Sequence, residues 1–187
     1  MQKLNQQPDI CPYFSPEFKV IPQYIIMKEG ECMELNNRTT SFFIFILSGE
    51  ITISFEQYTN RSVLENEMFF LPKNNCFKWK AVTQTVLILT GYNATIFPCT
   101  SVRARILYKI KAGVKFDCRG VVMKDEVKVV VNQMKHYLES GINCHHMYIL
   151  KHKELYLMFK HFYTYEEIIQ IFYLILGSNP LFNERDR

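Results

Sequence analysis

Short apolar runs broken by turn residues dominate the first two thirds of the chain. Tyr24–Lys28 follows Pro22 and stops at Glu29-Gly30. Ser41–Leu47 stops at Ser48-Gly49, and Ile51–Phe55 alternates apolar residues with Thr52 and Ser54. Met68–Leu71 ends at Pro72, with a turn at Lys73-Asn74-Asn75. Cys76–Ala81 alternates through Phe77 and Trp79 with lysines between, and Thr85–Thr90 is rich in β-branched residues. This period-2 pattern at short spacing predicts an antiparallel sandwich or small barrel, with Leu47–Glu50 turning a hairpin.

The period changes near residue 120. Val127, Val130, Val131, Met134 and Leu138 recur at three- and four-residue steps, which predicts an amphipathic helix. Gly141 stands at its C-terminal cap. A second helix is expected from about Asn143, with Tyr148, Leu155, Met158, Phe159 and Phe162 inward. Thr164-Tyr165-Glu166-Glu167 has the spacing of a capping box for a third helix, along which Ile168, Phe172 and Ile175 share a face. Gly177 followed by Ser178-Asn179-Pro180 ends it. The expected fold class is α+β: a β-barrel over 19–122 behind an N-terminal arm (1–18), then about three helices over 123–187. Leu181–Arg187 reads as the start of a linker to a further unit.

Composition narrows the function. Of 187 residues 48% are hydrophobic, with 15 Phe and 11 Tyr, so a packed core is available and wholesale disorder is excluded. The net charge of +4 is spread evenly: 1–110 and 111–187 each carry 11 basic and 9 acidic residues. No basic stripe marks a nucleic-acid surface, so this stretch is not expected to bind DNA by itself. Met1–Asp9 lacks the apolar segment of a signal peptide, and no run of 18 apolar residues could span a membrane. The six cysteines lack a CxxC pair and read as reduced, mostly buried thiols of a cytoplasmic protein.

Two stretches resemble a known family. Phe45–Ile51, followed by Glu67-Met68-Phe69-Phe70-Leu71-Pro72, resembles the two motifs of the cupin fold. Gly49 closes the first motif, Pro72 matches the second, and Asn66 and Asn74 stand where that fold carries glycines; asparagine tolerates the left-handed backbone better than most residues. Tyr137–Cys144, Lys153–Phe159 and Phe162–Thr164 resemble the helices that follow the cupin domain in one branch of bacterial AraC-type transcription regulators. The resemblance implies a non-catalytic module that senses an unknown small-molecule effector and forms a homodimer. It would reach DNA only through helix-turn-helix units absent from this stretch, with Met1–Phe18 as the effector-contacting arm.

The same comparison implies no cofactor. Metal-dependent cupin enzymes hold a divalent ion with three His and a Glu. Here Phe42 occupies the Glu position, Phe77 a His position and Ala81 an Asn position, and no His precedes His136. This argues against the alternative of a metal-dependent cupin enzyme, such as a sugar isomerase or oxygenase. A barrel that only dimerises and binds nothing is the other alternative. By strand parity Phe42, Ile44, Phe77 and Trp79 point inward, either as core filling or as the wall of an effector pocket. The Val127, Val131, Met134 and Leu138 stripe either packs on its own barrel or meets a second copy. His136, His145, His146, His152 and His161 have no metal-site spacing and read as surface or interfacial residues. Cys144 and His145, adjacent on a helix, point apart and make no catalytic pair. No catalytic residue and no metal site is assigned.

Overall fold

The computed structural model describes residues 22–92 and 116–177, the side chains of 175–177 excepted, together with Ala104, Tyr108, Lys109 and Gly113. The arm at 1–18 and the segment 181–187 lie outside these residues.

Alternation builds two sheets rather than one continuous barrel wall. The eight main strands are β1 (Gln23–Met27), β2 (Cys32–Asn37), β3 (Ser41–Ser48), β4 (Glu50–Phe55), β5 (Tyr58–Leu64), β6 (Glu67–Leu71), β7 (Asn75–Ala81) and β8 (Thr85–Tyr92), followed by the short β9 (Val121–Val122). One sheet has the order β1-β8-β3-β6-β9 and the other β2-β7-β4-β5, all antiparallel. That order is the double-sheet jelly roll, the architecture to which cupins belong.

The six strands legible in the sequence are present. β2 and β5 carry no such signal, because Cys-Met-Glu-Leu-Asn-Asn and Tyr-Thr-Asn-Arg-Ser-Val-Leu bury so few side chains that their alternation is drowned by polar residues. β5 is an edge strand and β2 the opposite edge of the same sheet. Gly49 turns β3 into β4 at φ +85°, and a Cβ there would strike the backbone of Gln84 and Thr85. Asn66 and Asn74 both adopt φ +63°, the conformation their placement at glycine positions required.

Three helices follow: α1 (Asp125–Glu139), α2 (His145–Phe162) and α3 (Tyr165–Gly177). Gly141, at φ +70°, closes α1: its N–H donates to the Leu138 carbonyl, and the Ile142 N–H donates to that of Tyr137. α2 starts one residue later than Asn143 suggested, with Cys144 as its cap and no side chain capping it. At α3 the capping box is reciprocal. The Thr164 N–H donates to Glu167 Oε2 at 2.8 Å, and the Glu167 N–H to Thr164 Oγ1 at 3.3 Å.

The helices cover the outer face of the five-stranded sheet, so the described residues form two cores. Phe43, Phe45, Phe70 and Ile88 turn outward from that sheet and pack against all three helices. Ile44, Ile46, Phe77 and Trp79 turn inward and fill the space between the sheets. One-residue alternation along Phe43-Ile44-Phe45-Ile46 therefore feeds both cores, which is why this strand reads as a continuous apolar run.

Candidate functional site

The interior between the sheets is a packed apolar core to which β4 and β7 contribute on one side and β3 and β8 on the other. β7 alternates strictly: Phe77, Trp79 and Ala81 are buried, while Cys76, Lys78 and Lys80 between them face solvent. Trp79 therefore points away from its flanking lysines. The structure brings the four inward-predicted residues to the same cluster. Ile44, Phe77 and Trp79 are fully buried there, and Phe42 packs on its rim, half-exposed at the start of β3. Phe77 lies 4.8 Å from Phe55, ring centre to ring centre.

One polar atom stands out in this hydrocarbon. Trp79 is 1% exposed, and among the described residues its Nε1–H has no hydrogen-bond acceptor. A buried donor left unpaired costs on the order of 1–3 kcal/mol, and most such groups in folded proteins find a partner. The indole N–H therefore offers one directed contact, and Asn37 Oδ1, buried on β2 in phase with Met33 and Leu35 and likewise unpartnered among the described residues, is a second polar atom on this side of the sheet.

A metal does not fit this interior. Phe42, Phe77 and Ala81 present carbon where donor atoms would be needed, and among the described residues no carboxylate is buried, while the two buried histidines, His145 and His152, lie on α2. The interior cluster's one other heteroatom-bearing member besides methionine is Cys118, whose thiol burial pushes up to about 12. A neutral thiol of that kind is a poor nucleophile and a poor ligand. Among the described residues no group of three or more His, Cys, Asp or Glu is placed to hold a metal.

The helical stripe takes the first of its two readings. Val127, Val131 and Met134 are 0% exposed and Leu138 is half-buried, all against the chain's own five-stranded sheet and helices. They are already enclosed and are not available to a second copy in this conformation. Among the described residues, apolar side chains left outside include Ile26 on β1, Val129 on the far face of α1, and Leu150 and Leu157 on α2, the last two 64% and 53% exposed. The two leucines are seven apart, two helical turns along one face. Phe162, expected inward, is 44% exposed at the end of the same helix.

Two histidines depart from the surface reading. His152 is buried, with Nε2 2.8 Å from Thr90 Oγ1 on β8, and burial is the main force that pushes its pKa down to about 4. His145, one heptad earlier on α2, is also buried, and desolvation first, then His146, lowers its pKa. Sequence reasoning missed both because histidine spacing was weighed for metal binding and not against the apolar stripe of the same helix. The signal that could have found them is their phase with Tyr148, Leu155 and Phe159.

No sequence profile of a known family matches the chain, and no curated protein matches its sequence. Among solved structures it is similar to the cupin domain of Schizosaccharomyces pombe Cnp3 (18% identity, TM-score 0.36, covering 40% of this chain and 53% of that one). It is also similar to a cupin superfamily protein from Desulfitobacterium hafniense (16% identity, TM-score 0.35, 38% of this chain and 66% of that one). A third is HppE, solved with iron(II) and substrate (14% identity, TM-score 0.35, 38% and 44%). The chain thus spans 44% to 66% of those chains' lengths. The jelly roll itself rests on the strand order.

Proposed function

We propose that the chain is the effector-sensing and self-associating part of an AraC-type transcription regulator, without catalytic activity of its own, and that it meets DNA through a separate domain. The observation that carries this reading is the unpartnered Trp79 N–H inside an interior that, among the described residues, lacks acid, base and metal donors. Such a wall suits binding by stacking and one hydrogen bond, and it offers no group for proton transfer. The occupant would be a small molecule with a flat or apolar face and one acceptor oxygen or nitrogen. The homodimer would form through the face of α2 that carries Leu150 and Leu157, since the α1 stripe is occupied internally.

Trp79 is the chain's only tryptophan, so its fluorescence reports on the interior alone. Titration with sugars, organic acids and aromatic metabolites should find a compound that shifts that emission and raises the unfolding temperature. A ligand at a hundred times its Kd stabilises the fold by about 3 kcal/mol. A panel that moves neither signal favours a barrel that only holds two copies together.

A further inference from the structure

β5, the edge of its sheet, lies beside β6, which only the short β9 flanks in the other sheet, and the segment Phe116–Gly120 runs across the seam between β5 and β6. It enters the short β9, which pairs with Glu67 and Met68 of β6. Its residues are tied down in different ways. Cys118 is 1% exposed and belongs to the interior cluster, inserted from the seam with its backbone at φ +50°. That conformation is uncommon for a residue with a Cβ and persists only where surrounding contacts enforce it. Phe116 meets Tyr58 of β5 edge-on at 5.9 Å and stacks flat on Tyr173 of α3 at 4.9 Å, with 7° between the rings. The Asp117 N–H donates to Gln170 Oε1 of α3 at 3.1 Å. Gly120 passes so close to Glu67 that a Cβ would collide with the carboxylate. α3 also touches the interior directly, since Leu174 packs against both cores.

We propose that Phe116–Gly120 is a strap that seals the interior at the β5–β6 seam, and that its seating is coupled to the packing of α3. Cys118 closes the interior, while Phe116 and Asp117, its immediate neighbours, rest on α3. Lifting Cys118 out of the interior therefore breaks the Tyr173 stack and the Gln170 hydrogen bond together, and displacing α3 removes the contacts that hold Cys118 at its strained φ. The strap has two discrete arrangements, seated and lifted. Anything that favours one at the interior favours the matching state of α3, by as much as it discriminates between them. For a sensor this links the interior to α3; that use rests on the sensing reading, but the coupling itself needs no effector.

Cys118 supplies its own probe. Labelling with N-ethylmaleimide on the full 187-residue chain, resolved by peptide mass spectrometry, compares it with the exposed Cys32 and Cys144 of the same molecule. Cys118 should react at least 100-fold more slowly than these. Tyr173→Ala should raise its rate at least tenfold, and Gln170→Ala, a milder change that removes no ring, severalfold. Hydrogen exchange of β3 and β8 should stay at the wild-type level, which separates strap lifting from global unfolding. Val129→Ala, on the exposed face of α1, should leave Cys118 protected. In the reverse direction, Phe116→Ala should speed hydrogen exchange in residues 168–174. The proposal is overturned if Cys118 reacts as fast as Cys32 in the unaltered chain, or if it stays fully protected in both α3 variants. No effector is added, so these outcomes are independent of whether the interior binds one.

Discussion

Thr90 and His152 meet where α2 crosses β8, beside a small cavity lined by Phe43, Phe159 and Phe172 together with Tyr92 and Tyr156. Thr90→Val preserves the shape and removes the hydroxyl, leaving the imidazole nitrogen buried without that partner. Urea denaturation should show a loss of about 1–3 kcal/mol. The same pair sets an acid limit. The folded state holds His152 neutral down to about pH 4, whereas the unfolded chain protonates it near 6.5. Between those values the unfolded chain binds more protons, so stability is full above pH 6.5 and falls as the pH drops toward 4, by roughly 3 kcal/mol at most. His145 acts in the same direction. His152→Gln, which cannot titrate, should flatten that part of the stability–pH curve; an unchanged slope would place the acid sensitivity elsewhere.

At the scale of elements, the helices are held by ends as well as by faces. Thr164 and Glu167 satisfy two free donors at the start of α3, and Lys124 Nζ binds Glu167 Oε1 at 2.9 Å, joining that cap to the residue before α1. The Tyr163 hydroxyl adds to the same corner: it accepts from the Lys124 N–H at 2.8 Å and donates to the Val122 carbonyl at 3.1 Å. Thr164→Ala should therefore cost about 1 kcal/mol in thermal or urea unfolding, and an effect below a few tenths would mean that the corner holds without its cap. Along α1 the face matters more. Met134→Ala opens a cavity beneath a fully buried side chain and should cost about 2–5 kcal/mol. If α1 were instead loosely docked, or spent on a partner, the loss in a dilute monomer would be far smaller.

At the scale of the molecule, the two cores formed by the described residues lie on opposite faces of one sheet, so a change between the sheets reaches the helices through the strands of that sheet, through Leu174 of α3, or through the strap. The helices in turn present a different surface outward. Leu150 and Leu157 are exposed among the charged residues Lys153 and Lys160. Singly exposed leucines are common, but two in phase on one helix form a stripe that a second copy can bury. Leu157→Glu should convert a dimer to monomer in sedimentation analysis while leaving the far-ultraviolet spectrum unchanged. A monomeric unaltered chain, or a dimer untouched by this substitution, would remove α2 as the interface.

Much of this architecture is legible in the residue pattern alone. Alternation at β7 sets Phe77 and Trp79 on one side and Lys78 and Lys80 on the other, because side-chain direction in a strand follows from position. The capping box at Thr164 and the left-handed turns at Asn66, Asn74 and Gly141 are likewise local, decided by a few neighbouring residues. Pairing is not local. β2 and β5 exist because the sheet beside them supplies hydrogen-bond partners that their own polar sequences do not advertise. The pattern is equally silent on which surface receives the α1 stripe, since an apolar face specifies that it must be covered and not by what. The burial of His152 and the reach of Cys118 into the interior depend on contacts between residues 62 positions apart, in one case, and across two sheet edges, in the other. Residue pattern determined which side chains turn inward; only the tertiary arrangement decided what they meet there.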